Sequence, residues 1–131
     1  MEPYLSIQAV AELTGITAHT LRYYERNGLI HAIARETNGR RRYSADDLAW
    51  IRFLARLRTT GMSIRQMQRI ADLRRQGPAT TRERRLLLEA HKAKLAEQIA
   101  KLQEHYDVIV EKIDTYRKWE MDRPGKGGEE R

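Results

Sequence analysis

Apolar residues return at helical spacing in four short bursts over the first half of the chain, and each burst has its own start and stop. Ile7, Val10 and Ala11 share a face after Ser6, an N-cap residue type, with Leu13 following and Gly15 as a left-handed stop. Thr17 opens a second burst carrying Leu21 and Tyr24 that ends at Asn27-Gly28. Ser44, with Asp46 and Asp47 in the first turn where the helix dipole favours acids, opens a third, whose buried stripe is Trp50, Ile51, Leu54 and Leu57 and whose end is Gly61. Ser63 and Gln66 form a capping box for a fourth, with Ile64, Met67, Ile70 and Ala71 on its apolar face. Two short capped helices joined by a turn with Gly15 match a helix-turn-helix, although plain helical packing has the same pattern.

Between the second and third helices the period changes. In "IARETNGRRRYS", Asn38-Gly39 predicts a two-residue hairpin turn with both positions at positive φ, and arms from Ile33 to Thr37 and from Arg40 to Tyr43. A hairpin after a helix-turn-helix makes a wing. Its three consecutive arginines either blunt a solvated sheet edge or reach phosphates and a narrow minor groove.

Gln76-Gly77-Pro78 is the clearest boundary in the chain. Beyond it Thr80 and Glu83 suggest another capping box, and the pattern turns to heptads. Leu88, Leu95, Leu102, Ile109 and Tyr116 recur every seven residues, interleaved with Lys92, Ile99, Tyr106 and Ile113. One helix from about Thr81 to Trp119 would run roughly 57 Å. Its own domain could cover only the first two or three turns, so the seam requires a second copy: a homodimeric coiled coil, parallel or antiparallel. The expected domains are residues 3–78 for the winged head, 79–119 for the dimerisation helix and 120–131 for a Gly- and charge-rich disordered tail.

Charge sharpens this picture. The net charge is +7, and nearly all the excess lies in residues 1–78, which hold 13 arginines, no lysine and 7 acids. An all-arginine excess suits phosphate and guanine geometry better than a merely solvated surface. The absence of cysteine excludes disulfides, thiolate metal sites and thiol switches. No Ser-His-Asp set, Walker loop, HExxH or G-x-G-x-x-G occurs, so no enzyme, metal or cofactor is expected. The four histidines, His19, His31, His91 and His105, are scattered. With no long apolar run, neither a transmembrane helix nor a signal peptide is expected.

The strings "YLSIQAVAELTGITAHTLRYYERNGLI" and "NGRRRYSADDLAWIRFLARLRTTGMSI", followed by the heptads, closely resemble the MerR family of bacterial transcription regulators from residue 3 to about 119. The resemblance implies a mainly α fold: a winged helix-turn-helix followed by a long helix dimerising as an antiparallel coiled coil. It implies a recognition helix in the major groove, with Arg22 and Tyr23 on phosphates and Tyr24 mixing packing with a backbone contact. Thr17, His19 and Thr20 would reach base edges. The wing would use Arg35, Asn38, Gly39, Arg40, Arg41 and Arg42, and Arg58, Ser63 and Arg65 a second phosphate clamp. The heptad residues from Leu88 to Tyr116 would form the dimer.

The implied partners are double-stranded promoter DNA, a second copy of the chain and RNA polymerase, in the bacterial cytoplasm at the nucleoid. A near-palindrome in an over-long promoter spacer would be bent and untwisted to align the polymerase elements. An architectural DNA-bending or recombination directionality factor with a similar head is the alternative, and the heptads argue against it. Ala32 and Arg40 depart from the family's usual residues, and no C-terminal effector domain is expected. The trigger stays open among a small apolar or amphipathic ligand at the dimer junction, the protein's own concentration, and sensing through His91, His105, Tyr106, Tyr116 or Trp119. The resemblance implies concave, partly apolar space at the junction, as in the shortest members of this architecture, which favours the ligand.

Overall fold

A computed structural model describes residues 4–39 and 41–122. The helices are α1 (Ile7–Thr14), α2 (Ala18–Arg26), α3 (Ala45–Thr59), α4 (Ile64–Arg75) and α5 (Thr81–Asp122), with a 3-10 turn at Pro78–Thr80. Their starts follow the side-chain caps. Ser6 accepts from Ala9 N–H, Thr17 from Thr20 N–H, and Ser44 and Ser63 each complete a reciprocal box with Asp47 and Gln66. Gly15 at φ 75° ends α1, with its N–H bonded to Ala11 O, and turns the chain into α2.

Two compact units result: one runs to His91 and the other begins at Lys92. The first unit's core joins Val10 of α1, Leu21 and Tyr24 of α2, Leu29 and Ile30 after it, Tyr43, Ile51 and Leu54 of α3, and Met67 and Ile70 of α4. Burying each such side chain contributes roughly 1.5–3 kcal/mol. The compositional boundary at Gly77-Pro78 is not the packing boundary. Leu87 and Leu88 of α5 pack against the head core, and His91 Nε2 lies 2.7 Å from Thr60 Oγ1 at the end of α3. The first three turns of α5 therefore belong to the head.

Four local expectations are corrected. No residue but glycine has positive φ among the described residues, so of the Asn38-Gly39 pair only Gly39 is left-handed, at φ 85°. The turn sits one residue earlier than expected, with Thr37 and Asn38 at its centre, closed by Gly39 N–H to Glu36 O at 2.8 Å. Among the described residues the arms form no strands: the isolated bridge Arg35↔Arg41 joins them, and Leu5↔Tyr43 ties the returning arm to the N-terminal segment. Thr80 does not cap α5 in a box with Glu83: its buried hydroxyl bonds back to Leu73 O (2.5 Å) and Gly77 O (2.9 Å), because the 3-10 turn already leads into the helix. Trp50 is half-buried rather than core, with its indole N–H on Leu29 O (2.8 Å) and Arg74 stacked over its ring at 4.3 Å.

The second unit is the helix from Lys92 onward. It continues to Asp122, through residues 120–122 that the tail was expected to include; residues 123–131 lie outside the described residues. α5 buries none of its residues, and Ile99, Leu102, Tyr106, Ile109 and Ile113 are all exposed. Among the described residues no helix is long and apolar enough to cross a membrane.

Candidate nucleic-acid interface

α2 is amphipathic in the sense that matters for docking. Leu21 and Tyr24 point inward, three residues apart, and the outer face carries Thr17, His19, Arg22, Tyr23 and Arg26, all exposed. The two adjacent tyrosines divide the work. Tyr24 is 5% exposed and packs the core, whereas Tyr23 is 38% exposed, their ring centroids 6.3 Å apart. Burial pushes the Tyr24 phenol up from its ordinary pKa, with the Arg58 guanidinium pulling against it. Arg58, from the end of α3, is therefore close enough for its charge to be felt at α2.

The N-terminus of α2 is open for contact. Thr17 is spent as a cap, accepting from Thr20 N–H, and its hydroxyl also donates to Thr20 Oγ1 at 3.0 Å. His19 is exposed beside it. The other end is tied down by α4: Gln68 donates to Asn27 O at 2.9 Å and Arg75 to Gly28 O at 2.8 Å. A helix held at its C-terminus and open at its N-terminus offers amide dipoles and side chains to a polyanion.

The wing differs from its expected form. Arg35 donates to Gly39 O at 3.1 Å, closing the turn on itself. Arg41 is not on an open face: its Nε donates to Glu25 Oε1 at 2.8 Å, with both side chains under one-fifth exposed. Arg42 is half-buried, its guanidinium 4.4 Å over the Tyr4 ring and its Nε buried with no hydrogen-bond partner among the described residues. Thr37, Asn38 and Gly39 are exposed at the tip, and Arg40 lies outside the described residues. Arg41 and Arg42 of the returning arm pack against α2 and the N-terminal segment instead of standing open to solvent. Arg58, Ser63 and Arg65 are all exposed around the turn into α4.

Two pairings are not predicted by the sequence. Glu25 accepts from Ile33 N–H at 3.3 Å as well as from Arg41. Asp47, buried at the start of α3, lies 2.5 Å from His31 Nε2. The signal for both was present in acidic residues beside an arginine-rich surface, but pairing partners sixteen residues away cannot be read from periodicity. Among the described residues no cluster of three metal-ligating side chains occurs.

Of the expected dimer residues, Leu88 serves its own head, Leu95 and Tyr116 are half-buried, and Lys92, Ile99, Leu102, Tyr106, Ile109 and Ile113 are exposed. The Tyr116 and Trp119 rings lie tilted against each other, their centroids 5.4 Å apart.

Comparison with known proteins bears on this surface. Residues 5–73 match the family model for the MerR HTH family regulatory protein, and residues 48–111 match the MerR DNA-binding model. An HTH-type transcriptional regulator of Haemophilus influenzae, itself uncharacterised, is 37% identical over 108 residues, 82% of this chain and 80% of its own. A crystal structure from Listeria monocytogenes assigned to the MerR transcriptional regulators superposes with a TM-score of 0.81 at 39% identity, covering 86% of each chain. HiNmlR, a MerR family regulator lacking the sensor domain and crystallised on promoter DNA, has a TM-score of 0.79 at 34% identity, covering 88% of this chain and 92% of its own.

Proposed function

This chain belongs to the MerR family of helix-turn-helix transcriptional regulators, and we propose that it works as a homodimer on a near-palindromic promoter segment, deforming the DNA to control RNA polymerase. The observation that carries this reading is the outer face of α2, where Thr17, His19, Arg22 and Tyr23 stand exposed on a helix whose other face is locked into the core. In this reading Arg22 and Tyr23 grip phosphates, Thr17, His19 and Thr20 sit over base edges, and the wing tip flanks them. Arg58, Ser63 and Arg65 hold a further phosphate, with the α4 N-terminus adding its dipole.

The exposed apolar seam of α5 supports the dimer. An antiparallel pairing of two such helices sets the spacing of the two heads, and that spacing selects the half-site separation. Bending and untwisting of the spacer then bring the polymerase-binding elements onto one face. A small apolar or amphipathic effector at the dimer junction would act by changing head separation. The absence of cysteine leaves no thiol for it to modify.

The test is selection from a random duplex pool by the full chain, followed by gel shift and in vitro transcription on the recovered site and on the DNA upstream of its own gene. Expected is a two-fold symmetric site, bound more tightly than random duplex at physiological salt, with altered open-complex formation. Recovery of no preferred sequence refutes the reading. Bending without any transcriptional effect favours an architectural role instead.

A further inference from the structure

We infer that Glu25 is a specificity-determining positioning residue: its carboxylate clamps both arms of the wing to the recognition helix and so fixes the angle at which the two engage DNA. This rests on the reading above that α2 and the wing both contact the duplex. Glu25 lies one turn beyond Arg22 on α2. Each of its oxygens holds a different arm. Oε2 accepts from the main-chain N–H of Ile33, before the turn, at 3.3 Å, and Oε1 accepts from Arg41 Nε, after the turn, at 2.8 Å. Among the described residues the arms are joined to each other by the Arg35↔Arg41 bridge and by Arg42 N–H to Ala34 O at 2.8 Å. Such a short ladder cannot set its own orientation.

The pair is 18% and 16% exposed, so the interaction is shielded from salt far more than a surface pair. An Arg–carboxylate bond of this kind also has directional geometry that a lysine or a lone hydrogen bond lacks. The acid itself is otherwise hard to explain. A carboxylate beside Arg22 and Tyr23 repels a phosphate backbone, and it weakens binding unless it does something else. Orienting the wing is what it does here.

This opposition of sign gives the test. On charge alone, Glu25→Gln tightens binding to every duplex and Glu25→Asp changes nothing. As a clamp, Asp is one methylene too short to keep both arms, and Gln offers one acceptor oxygen instead of two. Both variants of the full chain are measured by gel shift on the site selected by the wild type and on a scrambled duplex, alongside thermal melts. Expected is a fall of roughly tenfold in the ratio of specific to scrambled affinity for both variants, with scrambled binding unchanged or tighter and, although losing a partner of a buried pair lowers the melting temperature, both variants still folded at the temperature of the binding assay. Hydroxyl-radical footprints should lose protection at the flanks that the wing covers while the centre of each half-site stays protected. A wild-type ratio for Glu25→Asp overturns the inference, and so does an equal loss on both duplexes. If Glu25→Gln fails to fold, Glu25→Asp alone decides. If the wild type selects no site, it is the regulator reading that fails.

Discussion

His31 Nε2 lies 2.5 Å from Asp47 Oδ1, joining the segment that leaves α2 to the first turn of α3. Asp47 is also the reciprocal partner of Ser44: its other oxygen accepts from Ser44 N–H at 2.9 Å, and its own N–H donates to Ser44 Oγ at 3.0 Å. One buried carboxylate thus caps α3 and fastens the base of the wing.

Stability should therefore fall in acid through Asp47. Burial opposes its ionisation, but the hydrogen bonds from Ser44 and His31 outweigh that and hold its pKa below the ordinary aspartate value. A depressed folded pKa means the contribution is complete above the unfolded value and is lost as pH falls through the folded one. Asp47→Ala should cost about 1–3 kcal/mol at neutral pH and flatten the acid limb of a urea-melt series. An unchanged acid limb would remove Asp47 as its source.

Tyr43 predicts the opposite limb. Its hydroxyl is buried with no hydrogen-bond partner among the described residues, and burial raises its pKa, with Arg41 pulling the other way. A raised folded pKa leaves the stability intact below the ordinary tyrosine value and removes it as pH rises through the folded one. Tyr43→Phe discards an unsatisfied hydroxyl at almost constant shape, so stability at neutral pH should be unchanged or higher by up to about 1 kcal/mol. Its alkaline loss should be shallower. A clear drop in melting temperature at neutral pH would mean the hydroxyl has a partner.

Arg22→Ala and His19→Ala should fail in different ways. Arg22→Ala is expected to weaken binding to all duplexes and to lower the salt slope by about one. His19→Ala should alter which sequences are recovered in a selection while changing scrambled-duplex affinity little. An unchanged slope for the first, or an equal loss on both duplexes for the second, would reassign the residue.

Leu102 tests the dimer. It is 67% exposed, at the middle of the heptad seam. In a two-stranded pairing each copy buries one such leucine, a contribution of roughly 1.5–3 kcal/mol per side chain. Leu102→Glu should give monomers by sedimentation equilibrium, with helicity of the head retained, and should abolish binding to the full palindrome more than to a half-site. Persistence of the dimer would place the interface elsewhere.

Helix starts, the helix-turn-helix, the long terminal helix and its apolar period were readable from the chain because each depends on residues three, four or seven positions apart. Ser6, Thr17, Ser44 and Ser63 cap the helices they were expected to cap. Thr80 broke the rule because a proline-led 3-10 turn took over the role of the cap. Asn38-Gly39 misled in a similar way: the dipeptide marks a turn, but which residues enter the left-handed region depends on how the two arms meet.

The candidate surface was legible only in outline. Local sequence determined that arginines crowd the head, that α2 has a polar outer face, and that the chain has the MerR pattern of elements. Which arginines remain available for phosphate was decided by the tertiary structure. Glu25–Arg41 and His31–Asp47 are each sixteen residues apart, and only the packing of α2, the wing and α3 around Leu21, Tyr43 and Ile51 brings them together. Hydrophobic period is a local quantity and survives in the sequence. Pairing of charges across elements is set by where the core places their backbones, and no spacing rule encodes it.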